Sequence, residues 1–155
     1  MKRKSKAKTA ELRELVYEAA MACQDKKAEG VTVLEMDKTT GAFTDYFVIC
    51  SGSNPRQIQA IFDAVEERLA RQGVRAMYSE GYRQAEWAIL DYFDFVVHIF
   101  SEKTRAFRGL ERLWKSAKRL ELADLKPAPA PKKKPAPKRT AVRKPQSRKK
   151  SPSAS

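Results

Sequence analysis

Two apolar periods alternate along most of this chain. Leu12, Leu15, Val16, Ala19 and Cys23 recur at the spacing of one helical face, with Thr9 placed to cap the helix and Gly30 to end it. Residues 31–36 (VTVLEM) read as a strand. After the polar turn DKTTGAFTD, residues 46–50 (YFVIC) form a continuous apolar run of the length expected for a buried central strand, able to pair with the strand before it. Pro55 suits the first position of a second helix, residues 55–72, whose apolar stripe is Ile58, Ile61, Phe62, Val65 and Leu69. Gly73 supplies the left-handed residue after its end. Residues 74–78 read as a third strand.

The next stretch, EWAILDYFDFVVHIF, reads as two short strands joined at DYFD. In the first of them Trp87 and Ile89 point to one side and Ala88 and Leu90 to the other. Residues 104 to about 123 then read as a helix broken near Gly109. The order is therefore α β β α β β β α, which predicts an α/β (α+β) layered domain: a mixed β-sheet of about five strands flanked by helices.

Composition divides the chain further. Of its 155 residues, 126–155 hold eight Lys, three Arg and no acid, a charge of +11, and the first eight residues add +5. The formal +13 of the whole therefore leaves −3 for residues 9–125. Seven of the eight prolines lie in 127–152, a composition that cannot bury enough apolar surface to offset the entropy of ordering. Three regions follow: a basic disordered N-terminus (1–8), a mildly acidic folded domain (9–125) and a disordered Lys/Pro/Ala-rich tail (126–155). Lys132, Lys133, Lys134, Lys138 and Arg139 are the tail's candidate RNA contacts, since counterion release needs only clustered bases; the alternative is a solubilising tail. Cys23 and Cys50 are too few for a disulfide framework, and no apolar run spans a bilayer, so a cytoplasmic location without membrane association is expected.

Candidate chemistry is sparse. The turn SGSN at a strand-to-helix junction fits an anion site or ordinary capping by Ser53 or Asn54, with capping favoured in the absence of a P-loop or GxGxxG pattern. A metal-dependent nucleotidyl transferase would carry paired acids on the strand after that turn. Here that strand, VRAMY, has none, and the alternating Glu35 and Asp37 come before the turn. His98, the single histidine, excludes a His-pair metal site; it is either a structural strand residue or a surface contact. No nucleophile motif surrounds either cysteine or any serine. No cofactor and no enzymatic activity are expected. Trp87, with Glu86, Asp91 and Asp94 around it and Glu80 close by, has the composition of an interface that meets a basic partner, although an aromatic at an alternating strand position is as readily core.

The blocks DYFVICSGSNPRQIQAI, EGYRQAEWAILDYFDFVVHIF and RAFRGLERLW together resemble the Iojap or ribosomal silencing factor family across residues 9–120. The resemblance implies a nucleotidyltransferase-like topology without the catalytic acids. It also implies a translation repressor that binds the large ribosomal subunit at its protein number fourteen and sterically blocks subunit joining under nutrient limitation. By position in the EWAILDYFD block, the implied contacts are Glu86, Trp87, Asp91 and Asp94, with Tyr46, Glu80 and His98. The Lys-Pro-Ala tail departs from the family pattern, and Arg83, in the loop after the EG pair, brings a positive charge near the acidic patch. The rival readings are a metal-dependent nucleotidyl transferase and a general RNA-binding module acting through the basic ends. A homodimer through exposed strand edges is a further expectation.

Overall fold

The computed structural model describes residues 6–37, 39 and 41–126. The candidate RNA contacts from Lys132 to Arg139 lie outside the described residues. In chain order the elements are α1 (Lys6–Asp25), β1 (Glu29–Glu35), β2 (Tyr46–Gly52), α2 (Pro55–Ala70), β3 (Tyr78–Glu80), β4 (Trp87–Asp91), β5 (Phe95–Ser101), α3 (Glu102–Arg108), α4 (Leu110–Leu113), β6 (Lys118–Leu120) and α5 (Leu122–Leu125). The strands form one mixed sheet in the order β3-β4-β5-β2-β1-β6. Its centre is the parallel pair β2 and β5, with Ile49 opposite His98, and the other pairings are antiparallel. The continuous apolar run of β2 suits this place, since a central parallel strand is covered on both faces.

Helices α1 and α2 pack on one face of the sheet. Val16, Ala19 and Cys23 of α1 and Ile58, Ile61, Val65 and Leu69 of α2 meet Val33, Val48, Cys50, Leu90, Val97 and Ile99 in the main core. Each large aliphatic chain buried there contributes roughly 1.5–3 kcal/mol. Gly73, at φ +78, ends α2: its N–H donates to the Ala70 carbonyl, and the Val74 N–H reaches back to that of Leu69. No helix among the described residues is long and apolar enough to cross a membrane.

Several boundaries differ from the sequence expectation. Helix α1 starts at Lys6, so Thr9 lies inside it and the boundary at residue 8 falls within a helix. Its end is at Asp25, where Lys27 takes the left-handed conformation, φ 63, expected of Gly30. Gly30, at φ +60, sits instead in a bulge of β1 against the Arg105 guanidinium. The third strand is Tyr78–Glu80 rather than 74–78, because its pairing with β4 begins only where the Met77 N–H meets the Asp91 carbonyl. Among the described residues there are six strands, where about five are expected. Residues 118–120, expected as helix, pair with β1 through Val33 and Leu120, a long-range contact that local periodicity does not encode. The expected break at Gly109 is present, with Gly109 at φ +59.

Candidate functional site

The second face of the sheet is only partly covered. Leu110, Trp114 and Ala117 pack over Leu34, Met36, Ile49 and Phe100, and leave the β4 side of this face without a helix. The period of two in β4 turns Trp87, Ile89 and Asp91 toward this open part, where all three are half-buried. Ala88 and Leu90 face the main core, as the sequence predicts.

Trp87 and His98 are joined across β4 and β5. The indole N–H of Trp87 donates to His98 Nδ1 at 3.1 Å. The accepting Nδ1 carries no proton, so the neutral ring holds it on Nε2. That nitrogen is buried and has no partner among the described residues. Burial pushes the His98 pKa down to about 4, so the ring is neutral at physiological pH. Rings hold the pair in place: Phe47 meets His98 edge-on at 4.7 Å, and Phe100 stacks under Trp87 at 5.1 Å. Above Trp87 lies the Arg108 guanidinium, 5.2 Å from the ring centroid. His98 is thus a structural partner of Trp87, bonded to its indole.

The predicted acids fall into two groups. Glu86, just before β4, and Glu80, on β3, are exposed and share with Trp87 and Arg108 a recess of about 490 Å³. Glu80 accepts from the Tyr78 hydroxyl, which raises the pKa of that phenol. Asp91 and Asp94 sit at the β4–β5 turn. There the Asp91 carboxylate accepts the Phe93 N–H at 2.8 Å, and the Asp94 carbonyl accepts the Asp45 and Tyr46 N–H groups. Gly81, at φ +85, lets the loop pass over β4, since a Cβ there would meet the Trp87 carbonyl oxygen at 2.1 Å. Tyr46 belongs elsewhere. It is buried in the main core beneath the helices, and its hydroxyl accepts from Arg13 Nε at 3.2 Å. The cation over the aromatic site is Arg108, whereas Arg83 is an exposed loop residue.

Sequence reasoning missed the other end of this face. Phe43, 96% exposed, and Phe93, 64% exposed, line with Phe47, Val96 and Trp114 a second recess of about 350 Å³ that Asp91 borders. Phe93 has φ 73, a conformation costly for a bulky residue, and its ring stands largely in solvent. Alternation alone cannot flag such a residue, because it lies in a turn where no face is defined.

The remaining candidates have local partners. Asn54 Oδ1 accepts the Gln57 N–H at 2.8 Å, and Ser53 donates through its N–H and hydroxyl to Gln57 Oε1, so SGSN caps α2. Glu35 lies 3.6 Å from Arg13, and Asp37 accepts from the hydroxyl and N–H of Thr39. Among the described residues no three His, Cys, Asp or Glu side chains converge as metal ligands would.

Comparison with known proteins agrees with this architecture. Residues 9–149 match a family model described as ribosomal silencing factor during starvation, a match that continues into the basic tail. A protein of Halalkalibacterium halodurans named ribosomal silencing factor is 41% identical over 70% of this chain and 92% of its own length. One of the same name from Bacillus subtilis is 38% identical over 69% and 87%. A crystal structure of a Chromobacterium violaceum protein superimposes with a TM-score of 0.64 at 29% identity, covering 66% of this chain and 85% of the other. The domain built around the Trp87–His98 pair therefore belongs to the ribosomal silencing factor family.

Proposed function

We propose that the open sheet face centred on Trp87 docks on the large ribosomal subunit at its protein number fourteen. By occupying that surface it blocks joining of the small subunit in the cytoplasm. The observation that carries this reading is the Trp87–His98 pair, an aromatic anchor fixed by a partly buried hydrogen bond and stacked rings yet left half-exposed beside Glu86 and Glu80. Anchors of this kind dominate protein interfaces when a polar rim surrounds them. The Phe43–Phe93 recess extends the apolar part of the surface, and the carboxylates suit a basic ribosomal protein. Such a mechanism is steric and needs no turnover, in keeping with the regulatory name the relatives carry.

Co-sedimentation of the purified chain with large subunits, paired with a subunit-joining assay, tests it. The wild type should bind and lower the yield of joined ribosomes. Trp87→Ala combined with Glu86→Lys should lose both effects, with its circular dichroism unchanged. A folded double variant that still binds protein number fourteen would remove this surface from consideration.

A further inference from the structure

Arg108 already occupies a place on the Trp87 face that suits a visiting cation. It is the last residue of α3, a helix with no buried residue, and directly precedes Gly109 at φ +59. Its guanidinium lies 5.2 Å from the Trp87 ring centroid and 5.6 Å from that of Phe107, so two aromatic rings are within its reach. Phe100 stacks on Trp87 at 5.1 Å, and two groups this close to the centroid do not fit on one face of the indole. Arg108 therefore covers the face of the ring that Phe100 leaves open.

Little else holds it there. Among the described residues Arg108 makes no hydrogen bond and no ion pair, although Glu80 and Glu86 line the same recess of about 490 Å³. Arg105, one turn earlier in α3, shows the contrast: it donates to both Glu111 oxygens, to Ser51 Oγ and to the Gly30 carbonyl. The Glu86 carboxylate is exposed and also has no partner among the described residues. A planar guanidinium can stack on a ring and at the same time donate in a fork to a carboxylate. Arg108 does the first without the second. Phe107, 77% exposed, gives it another ring to rest on, so leaving Trp87 does not strip it of aromatic contact.

We infer that the recess beside Trp87 is a seat for a guanidinium group of the partner, and that Arg108 is its built-in, displaceable occupant. The incoming side chain stacks on the indole and donates to the Glu86 carboxylate, which Arg108 leaves unpaired, while Arg108 moves onto Phe107. An arginine suits the seat better than a lysine, because its planar fork stacks and pairs together whereas an ammonium is a point charge. Arg108 also sets specificity. A partner bringing only an apolar side chain would have to uncover Trp87 with nothing to offer Glu86 in return. As an account of how protein number fourteen attaches, this rests on the docking proposed above; the seat itself does not.

The test uses the full-length chain, N-acetyl-arginine amide as probe and the NMR resonance of the Trp87 indole N–H as reporter. Arg108→Ala should let the probe move that resonance at a concentration about two- to fivefold lower than in wild type, the size of one exposed cation–π contact. Glu86→Gln added to Arg108→Ala should cancel the gain, and N-acetyl-norleucine amide, which lacks the cation, should move the resonance in no variant. Capture of purified protein number fourteen by Arg108→Ala should tighten by a similar factor. Arg83→Ala removes an equal charge from an exposed loop position and should leave both readouts near wild type. Equal tightening in Arg83→Ala would reduce the effect to net charge and overturn the inference. So would an unchanged probe response in Arg108→Ala, or weaker capture by it, which would make Arg108 itself a contact. If the probe gains as expected while neither wild type nor Arg108→Ala captures protein number fourteen, the seat stands and the docking reading falls.

Discussion

The two faces of this sheet are made by the same strands and differ in what holds them. Under α1 and α2, Val48, Leu90, Val97 and Ile99 are fully buried, and their order follows from area removed from water. On the other face the alternate residues of those strands include Phe47, Trp87, Asp91 and His98, held by a 3.1 Å indole-to-imidazole bond, stacked rings and a guanidinium. One period of two generates both sets, so the contrast comes from what packs above. A covered face tolerates any well-shaped apolar residue, while an exposed one needs specific partners to keep an aromatic anchor still.

The sharpest test of that contrast truncates neighbouring positions of β4. Leu90→Ala, on the covered face, should cost about 3 kcal/mol. Ile89→Ala, half-buried on the open face, should cost about 1 kcal/mol, since less area is lost and water can fill the space. Urea unfolding followed by circular dichroism measures both, and equal costs would break the distinction between the faces.

Acid provides the next largest effect. The His98 pKa is about 4 in the folded protein against an ordinary value of 6.5, so the unfolded chain takes up the proton first. This part of the stability is complete above pH 6.5 and is lost progressively as the pH falls toward 4, to a total of about 3 kcal/mol. His98→Gln should be less stable than wild type at pH 7.5, and the gap should narrow across that window. A constant gap from pH 7.5 to 4 would mean that His98 is not kept neutral by burial.

Much of this architecture is legible in the sequence. The apolar run of β2, the stripe of α2, the glycines at 73 and 109 and the alternation in β4 each depend on residues close in the chain, where local periodicity has physical meaning. The failures are long-range. Residues 118–120 become a strand only because β1 offers an unpaired edge, and Gly30 is recruited to a bulge because Arg105, far along the chain, closes over it. At the site, Glu86, Trp87 and Glu80 fall together as the sequence suggests. Tyr46 does not, because in β2 it stands one position away from Phe47, on the helix-covered face. Phe43 and Phe93 escaped notice since exposure in a loop leaves no periodic trace.

Two smaller changes separate order from occupancy on the open face. Trp87→Phe keeps a ring over Phe100 but removes the N–H, leaving the buried His98 Nδ1 without its donor, at a cost of about 1 kcal/mol. If stability instead proved unchanged, the hydrogen bond would not be what fixes the anchor.

Phe93→Gly acts in the opposite direction. At φ 73 a phenylalanine pays for its backbone conformation, and glycine adopts it without strain, so the variant should gain up to about 1 kcal/mol after its larger unfolded-state entropy is counted. The Asp91 carboxylate still accepts the residue 93 N–H, so the turn itself is kept. Removing a side chain that is 64% exposed sacrifices little packing within the domain. A more stable protein with weaker attachment to the large subunit would mark the strain as retained for contact, because nothing in the fold alone needs an aromatic ring there. Equal attachment would confine the docking surface to the Trp87 end of the face.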